Sequence, residues 1–388
     1  MKIFENTKIA FQSKNNYELR RAHLLFKAVN IPALVNFSEW FLPFAKHIPG
    51  VKTLIKKSIF AHFCGGETRK ESLETVEKLH EKKIGSILDY SIEGKEEESA
   101  YDNCFQEINE IIFLAKDNPA IPFVVFKPTG YGSIHVYEKV GLKEKLTEKE
   151  QIAWENIQKR YFETCKNAYE NDVLLMIDAE ESWMQDAVDE LVTEMMKIFN
   201  RERCIIINTL QMYRHDRLEF LKNQYEEAER ENYFLGYKVV RGAYMEKERE
   251  RALEKGYPSP IQPDKQSTDN DYNAAIDFIF HRQDRILLFA GTHNELSCFQ
   301  LKEKLEKSEN PKTQQVWFGQ LLGMSDNISY VLADLNFHVA KYVPYGPVND
   351  VLPYLIRRAK ENTSVAGQSG RELILIEKEL KRRKQENP

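Results

Sequence analysis

Two adjacent arginines near the end of the chain are the residues whose type and spacing most directly suggest chemistry. They stand in the stretch YLIRRAKEN, residues 354–362. If this stretch is helical, Arg357 and Arg358 follow Tyr354 by three and four residues, so the hydroxyl and both guanidinium groups share one face. Two rigid guanidinium forks suit a bidentate grip on a carboxylate. A solvated helix surface with an ion pair between Arg357 and Glu361 fits the stretch equally well.

Polar residues also stand where successive apolar runs of the chain end. The runs are GSILDYS (85–91), PFVVFKP (122–128), VLLMIDAE (173–180), CIIINTLQMY (204–213), YKVVRGAY (237–244), RILLFAGTHN (285–294), VWFGQLL (316–322) and HVAKYVPYG (338–346). Taken singly, each polar residue has a structural explanation: a lysine such as Lys127 is usually solvated, and Asp178 can cap a helix. Their repetition at the same end of successive runs instead predicts one common site.

These runs also predict the fold. Continuous apolar runs indicate strands buried on both faces, as in parallel sheets, and the charged stretches between them are long enough for crossover helices. Eight such units over roughly 270–300 residues match a (β/α)8 barrel, in which the carboxyl ends of the strands share one mouth. A doubly wound open sheet is the alternative. Residues 1–80 are predicted to be mostly helical, residues 256–273 to form a loop, and the end of the chain to form an amphipathic helix.

Composition excludes several classes of protein. The 388 residues carry 55 Lys and Arg against 60 Asp and Glu, a net charge of -5, so no nucleic-acid partner is expected. The five cysteines are widely spaced without a CxxC motif, which argues against a metal site and favours reduced thiols in a cytoplasmic protein. We expect neither a signal peptide nor a transmembrane helix. Residues 35–60 mix aromatic residues with lysines; they either touch a membrane surface or pack on the main domain.

The Arg241-Gly242-Ala243 step is suited to phosphate, because a glycine lets backbone N–H groups approach an anion and the neighbouring arginine adds a guanidinium fork. The chain has no P-loop, and GYGSIH at residues 130–135 lacks the third glycine of a dinucleotide fingerprint. A phosphate-bearing cofactor would therefore be held at the barrel mouth.

Five motifs together resemble one family. YLIRRAKEN, KVVRGAY, IDAEE, AGTHN and YVPYGP resemble the proline dehydrogenases over about residues 80–370, and KVVRGAYMEKERERA resembles the branch that includes the mitochondrial enzymes. The resemblance implies a distorted (β/α)8 barrel (81–370) between an N-terminal helical region (1–80) and a C-terminal helical tail (371–388), with the last barrel helix over the mouth. It implies FAD-dependent oxidation of L-proline to Δ1-pyrroline-5-carboxylate, the first step of proline catabolism, by hydride transfer from C5 to flavin N5. Electrons would pass to a quinone, and a monofunctional enzyme is expected.

The resemblance also assigns roles to residues. Arg357, Arg358 and Lys127 match residues that bind the proline carboxylate, and Asp178 matches an active-site carboxylate linked to that lysine. Lys238 matches a position near flavin N5 where many bacterial members carry arginine; lysine keeps the charge and loses the planar fork. The walls around the pyrrolidine ring match Tyr244, Leu321, Tyr342 and Tyr354. The FAD contacts match Ala179, Gln211, Arg241, Gly242, Ala243, Thr292, His293 and Asn294. Catalytic roles fall to Lys127, Asp178 and Lys238.

Three other functions stay open at this point. A hydroxyproline dehydrogenase shares the scaffold, although the bulk of Tyr342 restricts room for a hydroxyl at ring carbon C4. A non-catalytic proline-binding barrel would keep the carboxylate clamp but would not need the flavin positions. A (β/α)8 enzyme acting on a phosphorylated substrate is the third. The expected location is cytoplasmic. Because a quinone is the expected electron acceptor, peripheral contact with the inner face of a membrane is also expected.

Overall fold

Eight parallel strands form a closed barrel in which each strand neighbours the next one along the chain. The computed structural model describes residues 2–29, 31, 50–91, 96–309, 313–364 and 368–386. Within them the strands are β1 (Ile84–Tyr90), β2 (Phe123–Phe126), β3 (Leu174–Ile177), β4 (Ile206–Gln211), β5 (Leu235–Val240), β6 (Ile286–Gly291), β7 (Val316–Leu321) and β8 (Val339–Tyr345). Each lies inside one of the predicted apolar runs or overlaps it. The (β/α)8 prediction is confirmed, and the open sheet is excluded.

Helices separate the strands, as the charged intervening stretches predict. They are α1 (Thr7–Ala10), α2 (Asn16–Val29), α3 (Val51–Ile55), α4 (Ala61–Phe63), α5 (Arg69–His80), α6 (Glu98–Ala115), α7 (Ile134–Gly141), α8 (Glu148–Glu170), α9 (Ser182–Phe199), α10 (Arg217–Glu231), α11 (Met245–Lys255), α12 (Lys265–Phe280), α13 (Glu295–Lys307), α14 (Asp326–Asp334), α15 (Val348–Ser364) and α16 (Gln368–Glu386). Short turns of other helix types are Lys2–Glu5, Lys56–Phe60, Pro128–Gly130 and Thr313–Gln315.

The chain divides into two compact units, the first of which comprises residues 1–93 and 320–388. In it β1 and β8 pair in parallel from Ile84 opposite Val339 to Tyr90 opposite Tyr345. The ends of the chain meet in an apolar cluster that includes Phe11 and Phe26 from the N-terminal part and Leu375 and Ile376 from α16. Burial of such aromatic and aliphatic side chains stabilises the terminal helices against the rest of this unit.

The prediction of helical structure for residues 1–80 holds where that region is described. Residues 32–49, which carry most of the aromatic segment predicted either to touch a membrane surface or to pack on the main domain, lie outside the described residues. In the part of the chain that the structure describes, no helix is long and apolar enough to cross a membrane.

The second unit is residues 94–319, which carry β2 to β6 and most of β7. Aromatic side chains fill the space that its strands enclose: the Phe123 ring makes edge contacts with Phe289 at 5.3 Å and with Trp317 at 4.8 Å between ring centres. A Cβ at Gly319 would lie 2.1 Å from the Phe289 ring, so only glycine leaves room for that ring. The interior is therefore packed with side chains, as expected for an eight-stranded barrel.

The prediction of a loop over residues 256–273 is wrong from residue 265 onward, where α12 begins. Asp264 caps this helix, because its carboxylate accepts a hydrogen bond of 2.7 Å from the Ser267 amide. The helix buries the face formed by Thr268, Tyr272, Ala275, Ile276 and Ile279. The prolines at 258, 260 and 263 all precede the cap, so they do not interrupt it. Capping and helical spacing outweigh the polar composition on which the loop prediction rested.

Candidate active site

A buried ion pair joins two of the predicted catalytic residues of the second unit. Lys238 points from β5, and its ammonium nitrogen lies 2.5 Å from the Asp178 carboxylate, directly after β3. Only 7% of the lysine side chain and 15% of the aspartate side chain are exposed. A buried ammonium is costly without an opposite charge beside it, so Asp178 is what allows a cation to sit at this end of the strand. This pairing was not predicted from the sequence.

Lys127 directly follows β2, and β2 neighbours β3, the strand that Asp178 follows. Phe126 pairs with Ile177 in the parallel register, and the Asp178 amide donates a hydrogen bond of 3.0 Å to the Phe126 carbonyl. Lys127 and Asp178 are therefore the next residues along two neighbouring strands. The predicted link between their side chains stays a prediction.

Glu180 fixes the turn that follows Lys127, a role that the sequence did not indicate. Its two carboxylate oxygens accept hydrogen bonds of 2.8 Å from the amide and from the hydroxyl of Thr129. Burial raises the pKa of the Glu180 carboxyl to about 7, and the charge of Glu181 adds to that shift, whereas the Thr129 bonds and the Lys127 ammonium oppose it. The side chain is thus a buried acid that titrates near neutral pH.

Arg241 is held by groups from two helices and a strand end. Its guanidinium donates to the Asp269 carboxylate at 2.6 Å, to the Thr292 hydroxyl at 2.7 Å and to the Ser297 hydroxyl at 3.0 Å. It also lies 4.2 Å from the centre of the Tyr272 ring. Asp269 and Tyr272 belong to α12, and the mistaken loop prediction is the reason that sequence reasoning missed both. The result is one oriented cation at the end of β5.

The backbone beside Arg241 has a shape that requires glycine. Gly242 has φ of +128°, and a Cβ there would lie 2.5 Å from the Tyr213 ring. The segment after β4 runs alongside it, since the Tyr213 amide donates 2.7 Å to the Arg241 carbonyl. Gly242 and Ala243 are both exposed, and Tyr244, which precedes α11, is half-buried. The Gly242–Ala243 backbone therefore lies at the surface, and the anion site assigned to it from the sequence stays a prediction.

Gln211 ends β4 and carries a buried side-chain oxygen. Its side-chain nitrogen donates 3.3 Å to the carbonyl of Ala179, while its oxygen is buried with no hydrogen-bond partner among the described residues. A buried acceptor without a donor is costly, so this oxygen indicates a donor that a ligand would bring.

The residues after β6 form the start of α13. The Thr292 hydroxyl accepts from Arg241 and from the Asn294 amide at 3.1 Å. Asn294 caps the helix, since its side-chain oxygen accepts from the amides of Leu296 and Ser297 at 2.9 and 3.0 Å. His293 lies between them, half-buried. The residues after β6 therefore cap the helix. The N-terminus of that helix also favours negative charge nearby.

The remaining predicted site residues belong to the first unit. Tyr354 and Arg358 are buried on α15, and the Arg358 guanidinium carbon lies 5.1 Å from the centre of the Tyr354 ring, within cation–π range. Arg357 is half-buried beside them. The helical prediction for this stretch is confirmed. The predicted pairing with Glu361 concerns a side chain outside the described ones.

Two predicted walls of the substrate pocket are linked by the backbone of this unit. Leu321, at the end of β7, packs against an apolar cluster that contains Tyr354, Val351 and Leu355. Tyr342 is buried in β8, and its carbonyl accepts 2.9 Å from the Leu322 amide. The structure thus brings Leu321 and Tyr354 into one cluster and ties the Leu321 turn to Tyr342. Among the described residues, no three His, Cys, Asp or Glu side chains gather as a metal site.

Most of the chain matches one family model. Residues 72–371 match the model described as proline dehydrogenase, which is well over half of the chain. The chain belongs to the proline dehydrogenase family. The predicted family, and with it an oxidoreductase of the proline dehydrogenase class, are confirmed.

Three relatives are similar to this chain over most of its length. A carbapenem antibiotics biosynthesis protein, CarD, of Pectobacterium carotovorum subsp. carotovorum is 39% identical over 83% of this chain and 83% of its own length. Proline dehydrogenase 1, mitochondrial, of Dictyostelium discoideum is 34% identical over 98% of this chain and 75% of its own. Hydroxyproline dehydrogenase of Xenopus laevis is 32% identical over 96% of this chain and 88% of its own. The resemblance to the mitochondrial branch is thus supported over nearly the whole chain.

A solved structure shares the fold. Proline utilization A (PutA) from Bdellovibrio bacteriovorus, inactivated by N-propargylglycine, matches with a TM-score of 0.73 at 21% identity. The match covers 94% of this chain, which spans about a third (36%) of that solved chain. At this identity the likeness shows the barrel fold alone.

Proposed function

We propose that this protein oxidises L-proline to Δ1-pyrroline-5-carboxylate with FAD as its cofactor and a quinone as its electron acceptor. The observation that carries the proposal is the buried Lys238–Asp178 pair in a chain of the proline dehydrogenase family. It supplies a fixed cation at the end of β5, where a reaction that adds negative charge to a cofactor needs one.

The residues of the second unit fit a flavin dinucleotide in their chemistry. The donor-lacking oxygen of Gln211, the exposed backbone of Gly242 and Ala243, and the guanidinium of Arg241 offer an acceptor, N–H donors and a cation. When bound, FAD supplies the hydride acceptor. The residues that would hold it are Ala179, Gln211, Lys238, Arg241, Gly242, Ala243, Thr292, His293 and Asn294.

The substrate is an amino acid with a carboxylate and an apolar ring, and two sets of residues suit these parts. Arg357, Arg358 and Lys127 would bind the carboxylate, because charge-assisted and bidentate hydrogen bonds give both affinity and orientation. Tyr244, Leu321, Tyr342 and Tyr354 would enclose the ring and exclude water. Fixing the carboxylate places ring carbon C5, from which the hydride leaves, at a constant distance from that end. Asp178 would hold the Lys238 ammonium in position.

The experiment is anaerobic addition of L-proline to the purified protein while its visible spectrum is recorded. Bleaching of a flavin band near about 450 nm by L-proline, and not by D-proline, would support cofactor, substrate and reductive half-reaction together. A colourless protein that still binds proline would favour the non-catalytic alternative. A yellow protein that neither proline nor hydroxyproline bleaches would refute the proposal.

The second candidate is trans-4-hydroxy-L-proline dehydrogenase. The Xenopus laevis relative carries that name and aligns over nearly the whole chain. Tyr342 is buried in β8, and its bulk would restrict a hydroxyl at C4, which favours proline. If hydroxyproline bleached the flavin band more readily than proline in the same experiment, hydroxyproline would become the favoured substrate.

The quinone acceptor rests on the resemblance alone. Adding a short-chain quinone to the proline-reduced protein should restore the 450 nm band within the mixing time, whereas restoration only by dissolved oxygen would argue against it. Peripheral membrane contact and a cytoplasmic location stay predictions.

A further inference from the structure

A lysine that is buried in β8 and lies outside the proposed site makes three polar contacts to one turn and to the residues on either side of it. The Lys341 side chain is 0% exposed. Its ammonium nitrogen lies 3.1 Å from the Leu321 carbonyl, 2.7 Å from the Met324 carbonyl and 2.9 Å from the Asp326 carboxylate. An ammonium group has three protons, so all three are used. All these residues belong to the first unit.

Of these acceptors, Met324 lies in a short segment, residues 322–325, which we call the β7–α14 turn, while Leu321 precedes it and Asp326 follows it. The turn has two residues of positive φ: Gly323 at +77°, which glycine adopts without strain, and Ser325 at +50°, which is costly for a non-glycine residue. A Cβ at Gly323 would lie 2.4 Å from the His62 carbonyl. Strained backbone persists only where its surroundings fix it, and Lys341 is the cation that does so from the strand side.

Further contacts anchor the same turn. The second carboxylate oxygen of Asp326 accepts from the Lys14 ammonium. The Ser325 amide donates 2.5 Å to the Glu372 carboxylate on α16. Although burial acts in the opposite direction, Lys14 and Lys341 together hold the pKa of the Asp326 carboxyl well below its usual range. The anion that pairs with Lys341 is therefore charged at any physiological pH.

The turn begins at one proposed substrate wall and is bonded to another. Leu321 immediately precedes it and gives its carbonyl to Lys341, while the Leu322 amide donates 2.9 Å to the carbonyl of Tyr342, the residue after Lys341. Neighbouring strand residues point to opposite faces, so Lys341 can hold the turn without entering the substrate pocket.

We propose that Lys341 is a positioning residue for the substrate: by holding the β7–α14 turn it sets the separation of Leu321 and Tyr342 and thereby the fit of the pyrrolidine ring. The inference rests on the proposed function, because it takes these two side chains as walls of the proline pocket. It extends that proposal from the residues that would touch the ring to the residue that fixes their spacing, and it predicts an effect on specificity.

The test compares Lys341→Met with Lys14→Met. Both changes remove one ammonium from Asp326 and should lower the thermal midpoint, but only the first removes bonds to the turn. We expect Lys341→Met to raise KM for L-proline by between about tenfold and a hundredfold with kcat less affected, since small misplacements near a reacting group have effects of this size. Its preference for proline over trans-4-hydroxyproline should narrow. Lys14→Met should change KM by less than about twofold.

A control and a second readout keep the outcomes distinct. Lys302→Met removes a buried lysine that pairs with Glu306 on its own helix in the second unit, and it should leave KM unchanged. The Leu322 amide donates to the Tyr342 carbonyl and the Met324 amide donates to the Leu321 carbonyl. Hydrogen exchange at these two amides should become at least tenfold faster in Lys341→Met alone. If Lys341→Met does not fold, Lys341→Gln replaces it.

Equal KM changes in the Lys341 and Lys14 variants, or unchanged exchange at Leu322 and Met324 in the Lys341 variant, would overturn the inference. If the wild-type protein does not oxidise proline, the proposed function fails, and the exchange measurement still decides whether Lys341 holds the turn.

Discussion

Replacing Asp178 by asparagine should leave a buried cation without its counter-ion. The Lys238 ammonium lies 2.5 Å from the Asp178 carboxylate, and the lysine side chain is only 7% exposed. Asparagine has nearly the same size as aspartate and keeps a carbonyl acceptor, so the change removes charge with little change in packing. The effect on stability should therefore report the electrostatic part of this contact.

The magnitude follows from distance and burial. At 2.5 Å and an effective dielectric constant of about 20, the gross attraction is roughly 7 kcal/mol. Desolvation of the two ions offsets part of this, and removal of one partner of a buried pair typically costs about 3–5 kcal/mol. For a chain of 388 residues the unfolding entropy is about 0.8 kcal/mol/K, so each kcal/mol corresponds to roughly 1.2 °C and the midpoint should fall by about 4–6 °C.

A double-mutant cycle isolates the pair. Lys238→Met leaves Asp178, which is more exposed than the lysine, and should cost less, about 1–2 kcal/mol. The double variant should be more stable than Asp178→Asn alone, because it no longer buries an unpaired ammonium, and the coupling energy between the two changes should be about 2–3 kcal/mol. Urea unfolding followed by circular dichroism gives the three free energies.

The same variants separate stability from chemistry. Lys238→Met removes the cation and should slow flavin reduction by proline roughly 100-fold to 1,000-fold, whereas Asp178→Asn keeps the cation and should slow it less. Stopped-flow spectroscopy measures both rates. The role given to this pair would be refuted by two results together. The losses of unfolding free energy in the two single variants would add up to the loss in the double variant within about 0.5 kcal/mol, and both single variants would show equal rates of flavin reduction.

Three further predictions concern other parts of the site. Burial raises the pKa of the Glu180 carboxyl from 4.5 in the unfolded chain to about 7 in the folded protein. The folded protein therefore holds a proton that the unfolded chain has lost, and the unfolding free energy should fall as the pH rises from about 4.5 to about 7. Glu180→Gln should reduce that fall by roughly 3 kcal/mol, as measured by urea unfolding at several pH values. The same pH dependence of the unfolding free energy in the wild-type protein and in this variant would contradict the prediction. Arg357→Met or Arg358→Met should raise KM for proline about tenfold to a hundredfold with flavin content unchanged, and an unchanged KM would contradict the carboxylate clamp. Gly242→Ala should lower flavin content, because a Cβ clashes there, whereas Gly256→Ala, at φ +72° with open space around it, should retain flavin; equal flavin content would show that the backbone shape at Gly242 does not matter.

The barrel was predictable because its signal is local and repeated. Each strand is a short apolar run buried on both faces, and eight of them alternate with amphipathic helices. The residues at the strand ends follow from the same rule, since parallel strands in a barrel finish at one end. Thus Lys127, Asp178, Gln211 and Arg241 could be assigned to one end of the sheet from their positions in the chain.

The failure at residues 265–273 shows how composition can mislead. Asp264 with Ser267 three residues later is a capping pattern, and Thr268, Tyr272 and Ile276 recur at helical spacing. The prolines and asparagines nearby outweighed this pattern in the prediction. The consequence reached the site, because Asp269 and Tyr272, which hold Arg241, lie in the misassigned stretch.

Pairings between side chains were beyond the sequence for a different reason. Asp178 follows β3, so a lysine after neighbouring β2 and a lysine within β5 are both candidate partners. Neighbouring strands lie about 4.8 Å apart, and a lysine side chain is long enough to cross the end of an intervening strand. Strand order therefore limits the candidates to these two lysines, and only the direction in which each side chain leaves its strand shows which contacts form. The contact with Lys238 at 2.5 Å puts the carboxylate beside the buried cation on β5, which is why the charge of that cation, rather than substrate binding alone, is what Asp178→Asn would test.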